Sequence, residues 1–219
     1  MEQRITTGVL RCKMQETMKF DTQQLLSELK QITRENLERA KAIQAHSEEA
    51  LAWREDEKKW NALECIQHLN WYSDFYLPEI DRRIQAAPKK SHPEFKTNWL
   101  GKKFVKAVSP LEQGAKGMNT MKDKNPLAMD LSPATLDQFI GDQERMLKLL
   151  DAAKEVNLTK TKTSISISKL IKVRLGDTFR VVIYHNQRHL QQAERALQGF
   201  NRAHGTTEPD YQPSGLTNR

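Results

Sequence analysis

Cysteine is scarce in this sequence, with two among 219 residues. Cys12 and Cys65 lie far apart and form no C-x-x-C pair, which excludes a disulfide framework and a thiolate zinc site. Cys65 reads as a small buried hydrophobe. Long apolar runs are missing too. None approaches the roughly 18 residues of a membrane span, and Met1 to Lys13 has no apolar stretch of the signal-peptide kind. The expectation is a cytoplasmic protein with no membrane partner. There is no internal repeat, no low-complexity block and no acidic excess: Lys and Arg number 35 against 28 Asp and Glu, a net charge of +7. Such a balance can attract nucleic acid or acidic small molecules. Part of the excess, however, falls in a polar connector between Lys89 and Lys124, and no motif interleaves aromatics with basic residues. Nucleic acid is therefore set aside as a partner.

What is present suits a helical protein. Hydrophobic residues make up 37% and charged residues 29%, enough to fold alone around one core. Residues 1–20 read as an N-terminal extension, 21–200 as a single domain and 201–219 as a mobile tail. Four amphipathic patterns predict helices at about 22–46, 61–84, 133–154 and 177–199. The first carries Leu25, Leu29, Ile32, Asn36, Arg39 and Ile43 at three-to-four spacing after a cap at Asp21 or Thr22. The second opens on an Asn variant of the capping box, Asn61 with Glu64, and Pro78 predicts a kink or an early end. In the third, Ser132 is the expected cap and Pro133 the first helical residue, ahead of a stripe of Leu136, Phe139, Ile140, Gln143, Leu147 and Leu150. The fourth takes Asp177 as cap and fails near Gly199. "NLTKTKTSISISKLIKV" alternates like a strand, but without a visible partner it reads as an extended link. The connector from Ala87 to Leu131 is too long for a tight turn, so it implies a crossover that lets the second and third helices run parallel. The fold class is all-α, a four-helix bundle with that crossover.

Three histidines interrupt the apolar stripes. On the fourth helix Leu175, Val182, His185, His189, Ala193 and Ala196 are related by steps of three, four or seven. His185 and His189 therefore stand one turn apart, about 6 Å along the axis. On the second helix Cys65, His68, Tyr72 and Phe75 form a stripe with one imidazole in it. A lone core histidine is more often hydrogen-bonded than a metal ligand. Three buried together without a shared partner would cost on the order of 1 to 3 kcal/mol for each unsatisfied polar group. Convergence on one cation removes that cost. His46 falls at a frayed helix end, His92 in the connector and His204 in the tail, so none of these joins the site.

"KKWNALECIQHLNWYSDFY" with His68, the long crossover, and "LGDTFRVVIYHNQRHLQQAERAL" with His185 and His189 resemble the DinB/YfiT-like superfamily of metalloenzymes. The likeness covers most of Asp21 to Phe200, and each of that family's three ligand histidines has a match. The resemblance implies a four-helix bundle with a crossover between helices two and three, a divalent metal on His68, His185 and His189, and a homodimer. It also points to low-molecular-weight thiols, since several relatives are thiol S-transferases or isomerases. Three neutral imidazoles leave a coordination position open, as in catalytic rather than closed structural sites. A water or thiol there would lose its proton more readily. All-nitrogen ligands suit zinc, nickel or iron alike.

Around this centre, Glu64 could hold the free N–H of His68, although its capping role competes. Tyr72 could donate to an oxyanion, or be plain core. Arg188 and Gln192 adjoin the histidine face and could meet an acidic or polar substrate, while a solvated flank explains Arg188 equally well. Trp53, Trp60, Trp71 and Trp99 are expected to cover the bundle ends. Two readings of function stand. One is a metal-dependent enzyme, a small-thiol S-transferase or a metal-dependent hydrolase. The other is a non-catalytic binding or stress-associated module stapled by its metal.

Overall fold

A computed structural model describes residues 18–110 and 122–206 of the chain. Cys12, most of the N-terminal extension and the tail beyond residue 206 lie outside the described residues. Four long helices dominate: α1 (Thr22–Gln44), α3 (Ala62–Ala86), α5 (Ala134–Ala152) and α6 (Leu175–His204). Short pieces join them: β1 (Lys19–Asp21), α2 (Glu48–Ala52), β2 (Glu94–Lys96), α4 (Trp99–Val108), β3 (Lys162–Ile165) and β4 (Ser168–Arg174). The expectation of an all-α chain is corrected to a mostly helical fold with two small antiparallel sheets, β1 with β2 and β3 with β4.

The N-terminal signals of the first two long helices act as read. Asp21 accepts from the Gln24 amide at 2.8 Å and opens α1. Asn61 accepts from the Glu64 amide at 2.8 Å while the Glu64 carboxylate accepts from the Asn61 amide at 2.8 Å, completing the capping box of α3. Other boundaries differ. Pro78 does not end α3, which continues eight residues further to Ala86. Ser132 does not cap α5. Pro133, already in helical conformation, occupies the cap, and backbone bonds from Thr135 to Ser132 and from Leu136 to Pro133 close the first turn. Asp177 does not cap α6, because β4 runs straight into that helix at Leu175 and leaves the buried Asp177 inside its first turn. Gly199 does not stop α6 either. The helix continues to His204 and ends at Gly205, whose φ of 65° is the left-handed conformation that glycine adopts without a Cβ penalty.

α1 lies against α5 and α6, and α3 lies against the same two helices. Side-chain pairs fix the directions. Gln44 meets Asp137 and Lys30 meets Asp151, so α1 and α5 are antiparallel. Gln138 donates to Asp74 and Arg145 approaches Asp81, so α3 and α5 run parallel, as the long connector implied. The core has two apolar clusters. One gathers Leu29, Leu77, Ile80, Phe95, Phe179 and Ile183, and the other Ile43, Ile66, Leu69, Phe139, Leu190 and Leu197. Polar pairs are buried between them: Asn36 donates to the Ile183 carbonyl, Asn70 to the Thr135 carbonyl and Asn186 to Gln143. Each of these amide nitrogens finds its acceptor on a facing helix, which helps to set the register of the bundle, while the buried side-chain oxygens of Asn36 and Asn70 accept no hydrogen bond among the described residues.

Two connectors carry more structure than composition suggested. In the crossover, β2 pairs with β1 and α4 packs on α6. A Cβ on Gly101 of α4 would stand 2.1 Å from the Asp177 carboxylate, so only glycine admits that approach. The segment read as an unpartnered link is a β3–β4 hairpin, with Ile165 opposite Ser168. Its turn at Ser166 and Ile167 has none of the Gly, Asn or Pro residues that announce a hairpin, which is why the alternation looked continuous. No helix of the described residues is long and apolar enough to cross a membrane.

Candidate metal centre

The antiparallel packing of α3 and α6 brings the three stripe histidines together, His68 from the first third of α3 and His185 and His189 from near the middle of α6. Tyr72 faces His185 and His68 faces His189, with ring centroids 4.8 and 4.7 Å apart. One nitrogen from each of His68, His185 and His189 can be chosen so that all lie within 4.8 Å of one another, and the trio could hold a metal ion. The Nε2 atoms of His68 and His185 are 3.3 Å apart. Two ligands about 2.0 to 2.1 Å from a tetrahedral ion stand about 3.4 Å apart, so this pair already fits a shared cation. His46, His92 and His204 lie elsewhere, as expected. His204 belongs to α6 rather than to a tail, and it stacks on Phe200.

Hydrogen bonds orient two of the rings. His68 Nδ1 lies 2.8 Å from the Lys124 carbonyl oxygen. A carbonyl only accepts, so Nδ1 carries the proton and Nε2 presents its lone pair to the centre. His189 Nδ1 lies 3.0 Å from Gln192 Oε1, which turns its Nε2 inward in the same way. Burial favours the neutral ring throughout. It lowers His68, lowers His185 well below the ordinary value with help from His189, and brings His189 down to about 3 with help from His68. All three imidazoles are neutral at physiological pH, the form that donates to a metal.

The supporting residues divide. Glu64 does not hydrogen-bond to His68. Its buried carboxylate accepts from the Asn61 amide, from Arg54 at 2.9 Å and from the Ala128 amide, and so ties the start of α3 to the end of the crossover. Gln192 serves His189. Arg188 donates to the Ala107 carbonyl at 3.0 Å, which fastens α4 to α6. Tyr72 lies beside both His68 and His185, and burial raises its hydroxyl above the usual phenol range. Trp60 is not an end cover. Its ring lies 4.9 Å from His68 and 5.7 Å from His189, and its Nε1 donates to Asn125. The Lys124 carbonyl had no sequence signal, being backbone. Trp60 had one, as the residue just before the α3 cap and two turns ahead of His68.

The histidines open into a cavity of about 960 Å³, lined in part by Trp53, Trp60, Tyr72 and Arg188. Tyr72 and His185 also border an apolar recess of about 90 Å³ walled by Phe104, Ile165, Val173 and Val182. Neutral nitrogen donors on one side and open space on the other define a helical protein with a candidate metal-binding centre. The chain belongs to the DinB superfamily, whose family model matches residues 23–193. No curated protein and no solved structure matches it.

Proposed function

We propose that the protein is a divalent-metal-dependent enzyme of DinB-type four-helix-bundle architecture that transfers a small thiol to an electrophile. His68, His185 and His189 would be the metal ligands, with zinc, nickel or iron as the ion. The observation that carries this reading is the convergence of three neutral imidazoles, two of them 3.3 Å apart at Nε2, on one wall of a 960 Å³ cavity. Bound there, the ion supplies Lewis acidity that makes a thiol or water in its open position easier to deprotonate. The chain's own groups do the rest. The Lys124 carbonyl and Gln192 hold two rings in the tautomer that faces inward. Trp60 lies against His68 and His189 and walls that side of the centre. Tyr72, kept protonated by its raised pKa, is a donor for a leaving group or oxyanion, and the apolar recess beside His185 receives the small apolar part of the electrophile. The thiol proton passes to solvent through the cavity. The sulfur pair forms the new C–S bond as the leaving group departs with its own pair.

The family habit also supports a homodimer, which light scattering at micromolar concentration tests. For the activity, purified protein is loaded with each metal and screened against pairs of small thiols and electrophiles. The reading predicts turnover that disappears on chelation while the helical signal persists, and that drops about tenfold or more in Tyr72→Phe. No turnover with any pair, together with unfolding on chelation, would instead identify a metal-stapled module.

A further inference from the structure

The cavity in front of the histidines is lined by an excess of positive charge. Lys58, Lys59, Arg188, Arg195 and Arg202 line it, against Glu55 as the one acid among its described lining residues. Lys59 pairs with Glu55 at 2.6 Å, Arg202 adds its charge beside the same carboxylate, and Arg188 donates to the Ala107 carbonyl at 3.0 Å. Arg188, Arg195 and Arg202 are spaced seven residues apart on α6, about 10 Å per step, and so form one row beside His185 and His189. A row of arginines on a helix flank is usually only a solvated face. This one borders the same concavity as the histidines, where protein walls concentrate the field of the cations.

We propose that this row binds the anionic oxygens, carboxylate or phosphate, of an organic co-substrate whose reacting atom sits at the three-histidine centre. The inference rests on the reading of that centre as a thiol-activating metal site. A guanidinium accepts such groups in two-pronged fashion. Arg195 follows His189 by six residues, about 9 Å along the axis, so the ligand must be an elongated molecule rather than a lone anion. A cavity of about 960 Å³ has room for it.

The test is binding to the cobalt(II)-loaded protein, using glutathione and its dimethyl ester. The two share thiol and length, but the ester's carboxylates are masked. The sulfur-to-cobalt charge-transfer band reports thiol binding, and quenching of tryptophan fluorescence reports occupancy of the cavity, whose lining includes Trp53 and Trp60. Glutathione should bind at least tenfold more tightly than the diester. The Arg195→Gln, Arg202→Gln double variant should bring the two within about twofold without changing metal content. Equal affinity of the two in the unmodified protein would overturn the anion-binding row and leave the thiol reading intact. If neither gives the band while S-methylglutathione still quenches and does so less in the double variant, the thiol reading fails and the row stands. If S-methylglutathione also fails to bind, both are overturned.

Discussion

His189 and Gln192 show how single residues set the chemistry of the centre. Burial holds the His189 ring near a pKa of about 3 in the folded chain, against about 6.5 unfolded. Between those values the unfolded chain binds a proton that the folded chain refuses, so stability of the metal-free protein is lost as pH falls from about 6.5 toward 3. The slope is on the order of 1 kcal/mol per pH unit for this one group. Urea unfolding of metal-free protein at pH 7, 5.5 and 4.5 should show a falling midpoint, with a shallower fall in His189→Gln; parallel curves for both proteins would contradict the assignment. Gln192 holds the outer nitrogen of the same ring. Gln192→Ala should therefore weaken metal affinity about 10- to 100-fold in chelator competition, and unchanged affinity would remove Gln192 from the site.

At the scale of elements, the informative contact is between α4 and the start of α6. Gly101 abuts the buried Asp177 carboxylate, whereas a Cβ on Gly141 of α5 would meet nothing within 4 Å. Gly101→Ala should lower stability by about 1 to 3 kcal/mol as the overpacked carboxylate shifts, and Gly141→Ala should raise it by about 0.5 to 1 kcal/mol through helix propensity. Thermal melts of both variants check the pair, and equal shifts would contradict it. The same contact shows where sequence reasoning runs out. Periodicity made α1, α3, α5 and α6 legible because each buries a stripe, and the Asn61 and Glu64 capping box was legible because both partners are local. Asp177 looked like a cap because Thr97, which hydrogen-bonds its carboxylate, and Gly101, which abuts it, come from a distant segment that meets it only once α4 has docked and α6 has begun at Leu175. The β3–β4 pairing was hidden by a turn of Ser166 and Ile167 that carries no Gly, Asn or Pro.

For the whole molecule, the position of the centre between two apolar clusters matters most. Each cluster joins residues of all four long helices, so the helices hold together on both sides of the histidines. Chelation should leave the far-ultraviolet helical signal in place and lower the melting temperature by several degrees, since a ligand bound to the folded state alone stabilises by mass action. Collapse of the helical signal would mean that the ion is a structural staple. The three histidines were legible because stripe positions and four-residue spacing are local, and the seven-residue spacing of the arginine row is equally local, whereas the Lys124 carbonyl reaches His68 only through the way distant segments meet. The most direct measurement is metal content. Purified wild-type protein, reconstituted with zinc and desalted, should carry about one ion per chain. The His185→Ala, His189→Ala double variant should carry almost none, and the His46→Ala, His92→Ala and His204→Ala variants should match wild type. Full metal content in the double variant would contradict the account.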